Sequence, residues 1–155
     1  MSIKMAKIDD EQLTKVLGLQ ESHFCDAKSK RIKPAKMSKT ISGFANASGG
    51  ELYVGLEESD CVAINFDWKG FPDPEAANAH IQLCNELFPL GQFFEYEFLS
   101  HPEMTGLVLK VTVRKTPDIK EASNGKPYIR RGAQSLPVNS DEAKRRLKLD
   151  KGIES

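Results

Sequence analysis

Residues 34–58 read PAKMSKTISGFANASGGELYVGLEE, and their pattern predicts a helix followed by a strand. Pro34 suits the first turn of a helix, because its fixed φ is helical and its missing N–H has no partner there anyway. Met37, Ile41 and Phe44 follow at helical spacing and make one apolar stripe. The first half of the stretch therefore predicts an amphipathic helix whose apolar stripe faces the core.

The second half of the same stretch predicts a strand. Gly49-Gly50 ends the helix, as glycine commonly does, and Leu52, Val54 and Leu56 then alternate with other residues, as in a strand with one buried face. The glycines follow the helix instead of preceding it, and no Gly-x4-Gly-Lys-Ser/Thr pattern is present. A nucleotide-binding P-loop is therefore rejected.

The rest of the chain continues the alternation of helices and strands. Caps, periodicity and turn signals predict helices that begin after Asp9, at Pro74 and after Ser140. The predicted strands are 22–28, 61–66, 93–99, 107–113 and 128–131. This pattern predicts an α/β or α+β fold, with a mixed, partly antiparallel sheet and helices packed mainly on one face.

Bulk properties exclude several classes of protein. The 155 residues suit one domain, 1–155, and the sequence leaves open that it is the N-terminal part of a longer protein. No apolar run approaches the roughly 20 residues that cross a membrane, and no signal peptide is evident, so we expect a cytoplasmic protein without a membrane partner. Cys25, Cys61 and Cys84 lack disulfide or zinc spacing and are expected to be buried free thiols.

The charge is balanced overall but unevenly distributed. Lysine plus arginine and aspartate plus glutamate each number 22, which argues against nucleic-acid binding by bulk charge alone. Between Lys28 and Lys39, however, there are six basic residues and no acid. Such a segment favours contacts with phosphate groups, and a solvated charged face is the alternative. The basic positions are Lys28, Lys30, Arg31, Lys33, Lys36 and Lys39.

Acidic residues lie on both sides of the basic segment. Glu21 and Asp26 precede it, and the pair Glu57-Glu58 follows the predicted strand. On a strand, Asp26 and Lys28 point to the same side, so that a lysine lies beside a carboxylate. Carboxylates that share a divalent metal next to a phosphate-binding cation suit phosphodiester chemistry. An ordinary ion pair on an edge strand is the alternative.

Two further features bear on nucleic acid. Arg130 and Arg131 lie on the last predicted strand, where either could hold a phosphate with two hydrogen bonds; solvated strand arginines are the alternative. Trp68, Phe71 and Tyr53 could stack on bases, although a role in covering the core is the more common one for such residues.

Several of these motifs together resemble a known family, the Schlafen AlbA-like domains. The resemblance rests on Glu21-Ser22-x3-Asp26-Ala27-Lys28, on the block from Ile41 to Glu57, and on Tyr128-Ile129-Arg130-Arg131-Gly132 with the residues to Pro137. It extends over about residues 18 to 150. The helix-Gly-Gly-strand block is the most specific of these motifs.

The resemblance implies a mixed α/β domain that binds nucleic acid, RNA or DNA. Some family members cleave RNA with three acids and a metal ion. Glu21 matches the first acid, Asp26 the second, which is usually Glu, and Glu57 or Glu58 the third, which is usually Asp. A single lobe also implies that two copies pair into a homodimeric clamp.

Three hypotheses follow, and the sequence leaves open whether the protein is an enzyme. The first is a nucleic-acid-binding domain that grips the phosphate backbone. The second is a metal-dependent ribonuclease, serving defence, in which Glu21, Asp26 and Glu58 hold Mg²⁺ or Mn²⁺ and Lys28 steadies the phosphate. The third is a sensor or interaction domain of a larger regulator. The residues expected to contact nucleic acid are Lys28, Lys30, Arg31, Lys33, Lys36, Arg130 and Arg131.

Overall fold

The helix and the strand predicted from residues 34–58 lie side by side at the centre of the fold. The computed structural model describes residues 4–153. Its helices are α1 (Asp10–Leu17), α2 (Pro34–Asn46), α3 (Asn78–Leu87) and α4 (Asp141–Asp150), with a short 3₁₀ helix at Pro74–Ala77. Its strands are β1 (Met5–Lys7), β2 (Cys25–Lys28), β3 (Gly50–Val54), β4 (Leu56–Glu58), β5 (Phe66–Trp68), β6 (Phe94–Ser100), β7 (Val108–Val113), β8 (Tyr128–Arg131) and β9 (Gln134–Pro137).

The main sheet has five strands in the order β1-β6-β7-β3-β2. The pairs β6–β7 and β3–β7 are antiparallel, whereas β1–β6 and β2–β3 are parallel. Two small antiparallel hairpins, β4–β5 and β8–β9, complete the fold. This arrangement confirms the predicted α+β class with a mixed, partly antiparallel sheet.

Alternate residues of the sheet pack against different helices. Leu52 and Val54 face α2 and α3, and the α2 residues Met37, Ile41 and Phe44 are fully buried in the same cluster. Tyr53 faces the opposite way and belongs to a second cluster with residues of α1 and of the β4–β5 hairpin. Two of the helices thus cover one face and α1 covers part of the other, as the period-two alternation of a strand requires.

Three predicted strands differ from the structure. The strand expected over residues 51–56 ends at Val54, because Gly55 turns the chain, and Leu56 lies on β4 and in the second cluster. The strand expected over residues 22–28 begins only at Cys25, because Ser22 and Cys25 close a tight turn with two backbone hydrogen bonds. The strand expected over 61–66 is largely a turn, and strand pairing begins at Phe66. Val62 has no partner strand there and is fully exposed.

The three thiols are free, but only Cys84 is buried as predicted; Cys25 is half-buried and Cys61 is exposed. Within residues 4–153, no helix combines the length and the apolar character that crossing a bilayer requires.

Candidate nucleic-acid interface

A pocket of about 330 Å³ lies between α2 and the β8–β9 hairpin. Its lysines come from two elements, Lys28 from the end of β2 and Lys36 and Lys39 from the first half of α2, and Arg130 of β8 is its fourth cation. Lys36 and Lys39 share one face because residues three apart are neighbours on a helix. The full lining is Asp26, Lys28, Lys36, Lys39, Thr40, Arg130, Ala133, Gln134, Ser135 and Leu136.

The start of α2 adds to the positive potential. Lys33 is the N-cap, Pro34 begins the helix, and the first turn contains no acidic residue. The unsatisfied N–H groups of a helix N-terminus favour an anion, and no side chain caps this one. The Lys39 ammonium is also 5.8 Å from the centre of the Tyr128 ring, so a cation–π contact draws it toward the hairpin.

Arg130 crosses the floor of this pocket and is only 2% exposed. Its five N–H donors all have acceptors: Nε and Nη2 donate to Ser22 O, Nη2 to Cys25 O, and Nη1 to Asp26 Oδ2 and Ser135 Oγ, at 2.9–3.1 Å. Its guanidinium also lies 4.9 Å from the centre of the Phe44 ring. A guanidinium has five N–H donors in total, so none is left for a ligand.

The sequence-based prediction that Arg130 contacts a phosphate therefore does not fit its position. Its solvated alternative does not fit either, since the side chain is buried. Arg130 instead joins the hairpin to β2 and to the turn that precedes it. Arg131, the next residue, is exposed at the end of β8 and remains available for a ligand.

Asp26 and Glu21 form a pair of carboxyl groups beside the pocket. Asp26 is 1% exposed, forms an ion pair with Arg130 at 3.1 Å and lies 3.5 Å from Lys28 Nζ. Glu21 is exposed, and its hydrogen bond with Asp26, with burial as the second cause, raises its pKa to about 7. Two carboxyl groups in contact resist double ionisation, so Glu21 holds a proton up to about neutral pH.

The third expected acid does not join this pair. Gly55 has φ +118°, and after it the chain leaves β3 and pairs with β5 instead. Glu57 then forms an ion pair with Arg31 at 2.9 Å, and Glu58 is exposed. Among the described residues, Glu21, Asp26 and Glu58 do not form a group whose ligand atoms all lie within 4.8 Å of one another. The predicted three-acid metal site is not assembled in this structure.

Within residues 4–153, Asp10, His101 and Glu103 do place possible metal-ligand atoms within 4.8 Å of one another. There His101 Nδ1 accepts the Glu103 N–H at 3.0 Å, so the proton of the neutral ring is on Nε2, which donates to Asp10 at 2.7 Å. Both ring nitrogens are thus in use. A metal would have to displace one of these hydrogen bonds, so we interpret the group as a structural tie between α1 and the loop after β6.

The remaining basic residues of the segment spread away from the pocket. Lys30 donates from Nζ to Gly70 O at 3.1 Å, and Arg31 is paired with Glu57. Lys33 is exposed at the start of α2. The structure therefore brings Lys28 and Lys36 together with Lys39, and places Lys30 and Arg31 near the β4–β5 side.

Some residues that line the pocket were not predicted as site residues from the sequence. Thr40, Gln134 and Ser135 supply hydroxyl and amide groups to the pocket, and only the motif that continues to Pro137 hinted at the last two. The aromatic candidates Trp68, Phe71 and Tyr53 are buried in the cores and are not free to stack on a base. Phe24, which carried no signal in the sequence, is an exposed aromatic residue on the turn that leads into β2.

Comparison with known proteins found one matching family model and solved structures of similar fold. The family model described as Schlafen, AlbA_2 matches residues 21–139. The crystal structure of the DIP2311 protein from Corynebacterium diphtheriae is similar with a TM-score of 0.56 at 14% identity, over 89% of this chain and 31% of that one.

A second similar structure is the N-terminal domain of the "Putative ATP-dependent DNA Helicase RecG-related Protein" from Nitrosomonas europaea. Its TM-score is 0.51 at 20% identity, over 84% of this chain and 89% of that one. At these identities the two structures establish the similarity of fold. The present chain spans less than a third of the DIP2311 protein.

Proposed function

The chain belongs to the Schlafen AlbA_2 family, and we propose that it is a domain that binds nucleic acid by its phosphate backbone. The observation that carries this proposal is the meeting of Lys28, Lys36 and Lys39 in one pocket beside the uncapped start of α2. The name of the structural neighbour from Nitrosomonas europaea, which refers to a DNA helicase-related protein, is in line with this role.

The chemistry of the pocket suits phosphate groups of a nucleic acid. Lysine ammonium groups act as point charges for phosphate oxygens, and Thr40 and Ser135 add hydroxyl groups beside them. Because the net charge is zero, the attraction comes from this local arrangement and not from the whole molecule. Lys33, exposed at the start of α2, would extend the contacts to a flanking phosphate. Arg131 lies on the other side of β8, beside α4, and would contact only a strand that continues around the hairpin.

The test compares the salt dependence of binding for two double variants. Lys36→Gln with Lys39→Gln removes two phosphate contacts, and the slope of log K against log salt should flatten by about 1.4 to 1.8. The matched control, Lys7→Gln with Lys15→Gln, removes two exposed lysines from the opposite edge strand and from α1, and should leave the slope unchanged. The measurement is fluorescence anisotropy with labelled single-stranded and duplex RNA and DNA.

Two results would contradict the proposal. If both double variants lose affinity equally, binding does not occur in the pocket. If the wild type binds none of the four nucleic acids at low salt, the domain is better explained as a sensor or interaction domain of a larger regulator.

A metal-dependent ribonuclease is the second candidate, favoured by the hydrogen-bonded carboxyl pair Glu21 and Asp26 beside the pocket. Mg²⁺ and Mn²⁺ prefer carboxylate oxygens, and Mg²⁺ often uses only one or two of them. The expected set of three acids does not fit, however, because Glu58 lies apart and Asp26 is already neutralised by Arg130 and Lys28. We therefore derive no catalytic step from a metal.

Incubation of labelled RNA with Mn²⁺ or Mg²⁺ tests this second candidate. The informative variant is Glu21→Gln, since Glu21 is exposed and its replacement preserves the shape of the side chain. A ribonuclease of this type requires cleavage that depends on the metal and is lost in the variant. Cleavage that is absent, or equal in both proteins, removes the candidate.

We also propose that two copies pair on nucleic acid to form a two-lobed clamp in the cytoplasm. Free thiols, one of them exposed at Cys61, suit a reducing compartment. Light scattering with and without a bound oligonucleotide measures the number of copies. A mass of one copy in both conditions would contradict the pairing, and cell fractionation checks the location.

A further inference from the structure

Phe24 is an exposed aromatic side chain on the tight turn that precedes β2. Phe24 is 59% exposed to solvent, whereas every other Phe, Tyr and Trp in residues 4–153 is buried or half-buried. The turn runs from Ser22 to Cys25 and leads directly into β2, where Asp26 lines the pocket.

The turn that carries Phe24 is held from two sides. The buried guanidinium of Arg130 donates to the carbonyl groups at both ends of the turn, Ser22 O and Cys25 O. Within the turn, Phe24 N–H donates to Ser22 Oγ at 3.1 Å, and on the sheet side Phe24 O accepts the Glu51 N–H at 2.9 Å. The backbone of Phe24 is thus fixed although its ring faces solvent.

Close packing beneath the turn also depends on Gly50. A Cβ atom at this position would come within 2.9 Å of Phe24 O and 2.5 Å of the Phe44 ring. Glycine therefore allows the turn to sit directly on the start of β3. His23, beside Phe24, packs edge-to-face against its ring at 4.9 Å between ring centres and reaches Ser48 Oγ at 3.4 Å.

A single exposed apolar side chain is common on protein surfaces and needs no special cause. Phe24 differs in its combination of features: an exposed ring, a backbone held by hydrogen bonds, and a position two residues before Asp26, which lines the lysine pocket. Proteins that bind single strands stack the unpaired bases on aromatic rings, while cations in a neighbouring groove hold the phosphates. Arg130 binds both the turn that carries Phe24 and the pocket residue Asp26, so it holds the turn and Asp26 at a fixed distance from each other.

We propose that Phe24 is a stacking platform for an unpaired base, so that the domain prefers single-stranded nucleic acid to duplex. This inference rests on the proposed function, because the phosphates of the same strand would occupy the lysine pocket. Bases in a duplex are already stacked and paired and cannot reach the ring without cost. Stacking on phenylalanine uses the face that all bases share, so little sequence preference is expected.

The test separates base contacts from phosphate contacts with an abasic oligonucleotide, which keeps the backbone and lacks the bases. Phe24→Ala should weaken binding of a single-stranded oligonucleotide by about 5- to 150-fold and leave binding of the abasic and duplex forms unchanged. Leu90→Ala, which removes another exposed apolar side chain far along the chain, is the matched control and should change nothing.

A second variant gives a spectroscopic signal. Phe24→Trp should keep the affinity for single strands, and the emission of the new indole should be quenched by the single-stranded oligonucleotide but not by the abasic one. Trp68, the single native tryptophan, is buried and provides a constant background.

The outcomes distinguish the inference from the function beneath it. If Phe24→Ala binds single strands normally while Lys36→Gln with Lys39→Gln binds them weakly, stacking is wrong and phosphate binding stands. If Phe24→Ala weakens the abasic and duplex forms as much as the single strand, the ring acts on the structure of the site and the inference is also overturned. If the wild type and the lysine variant bind alike, the proposed function fails as well.

Discussion

Replacement of Arg130 by methionine should destabilise the domain severely, because Arg130 is the buried link between three parts of the chain. Methionine keeps much of the apolar stem but removes all five N–H donors. The carbonyl groups of Ser22 and Cys25 lose these partners, and Asp26 loses its closest cation. Only Lys28, at 3.5 Å and partly exposed, remains beside the Asp26 carboxylate.

The magnitude follows from the burial of the pair, since both side chains are at most 2% exposed. Loss of one partner of a buried ion pair costs about 3–5 kcal/mol. A domain of this size has about 5–15 kcal/mol of stability in total, and the same loss lowers Tm by about 6 to 20 °C. Arg130→Lys should also be destabilising, because an ammonium group cannot replace the five hydrogen bonds that the guanidinium donates to four acceptors.

Urea denaturation followed by circular dichroism measures the loss in the free energy of unfolding. Arg131→Met is the matched control, because Arg131 is exposed on the same strand, and its effect should stay within about 0.5 kcal/mol. A loss below about 1 kcal/mol for Arg130→Met would contradict the buried ion pair, since it would mean that Arg130 is solvated and free to bind a ligand.

Three further predictions concern stability. Asp26→Asn should cost about 1–3 kcal/mol because it leaves the buried Arg130 without its counter-charge, whereas Glu21→Gln should stay within about 0.5 kcal/mol; urea titrations compare them, and equal losses would contradict the burial of Asp26. Gly50→Ala should cost about 1–3 kcal/mol through overpacking against Phe44, and an unchanged Tm would contradict the close approach. Burial lowers the pKa of Lys151 to about 8. The folded state thus loses this proton at lower pH than the unfolded state, and stability should rise between about pH 8 and 10.4; a wild-type and a Lys151→Met curve with the same slope there would contradict this.

The core elements could be predicted because their signals are local. Pro34, the apolar stripe at Met37, Ile41 and Phe44, and the glycines after them specify a helix and a strand within a single stretch of chain. The strands over residues 94–100 and 108–113 were predicted for the same reason, since alternation and a short connection are visible in the sequence.

Short strands could not be predicted in the same way. Residues 61–66 alternate like a strand, but alternation does not reveal whether a neighbouring strand exists, and Val62 has none. The sequence also does not show that β3 ends at Gly55, which has a positive φ, nor that the next residues pair with β5. Convergence of three acids from separate strands could therefore not be judged from their spacing along the chain.

The structural role of Arg130 could not be predicted from the sequence, because its hydrogen-bond partners are distant along the chain. Ser22, Cys25 and Asp26 lie more than 100 positions away from it. From sequence alone an arginine on a short strand is most simply interpreted as exposed. The lysines of α2 could be predicted as a basic face, since Lys36 and Lys39 are neighbours on one helix, but their meeting with the hairpin could not.

The position of a bound strand on the protein surface decides whether the lysine pocket is the binding site. Titration of ¹⁵N-labelled protein with a short single-stranded oligonucleotide, followed by amide chemical shifts, reports the contact surface residue by residue. We predict the largest shifts at Phe24, Lys28, the segment from Lys36 to Thr40, and Ser135, with little change at Lys15 on α1. Shifts that cluster on α1 with none around Lys36 would contradict the claim that this pocket holds the phosphate backbone.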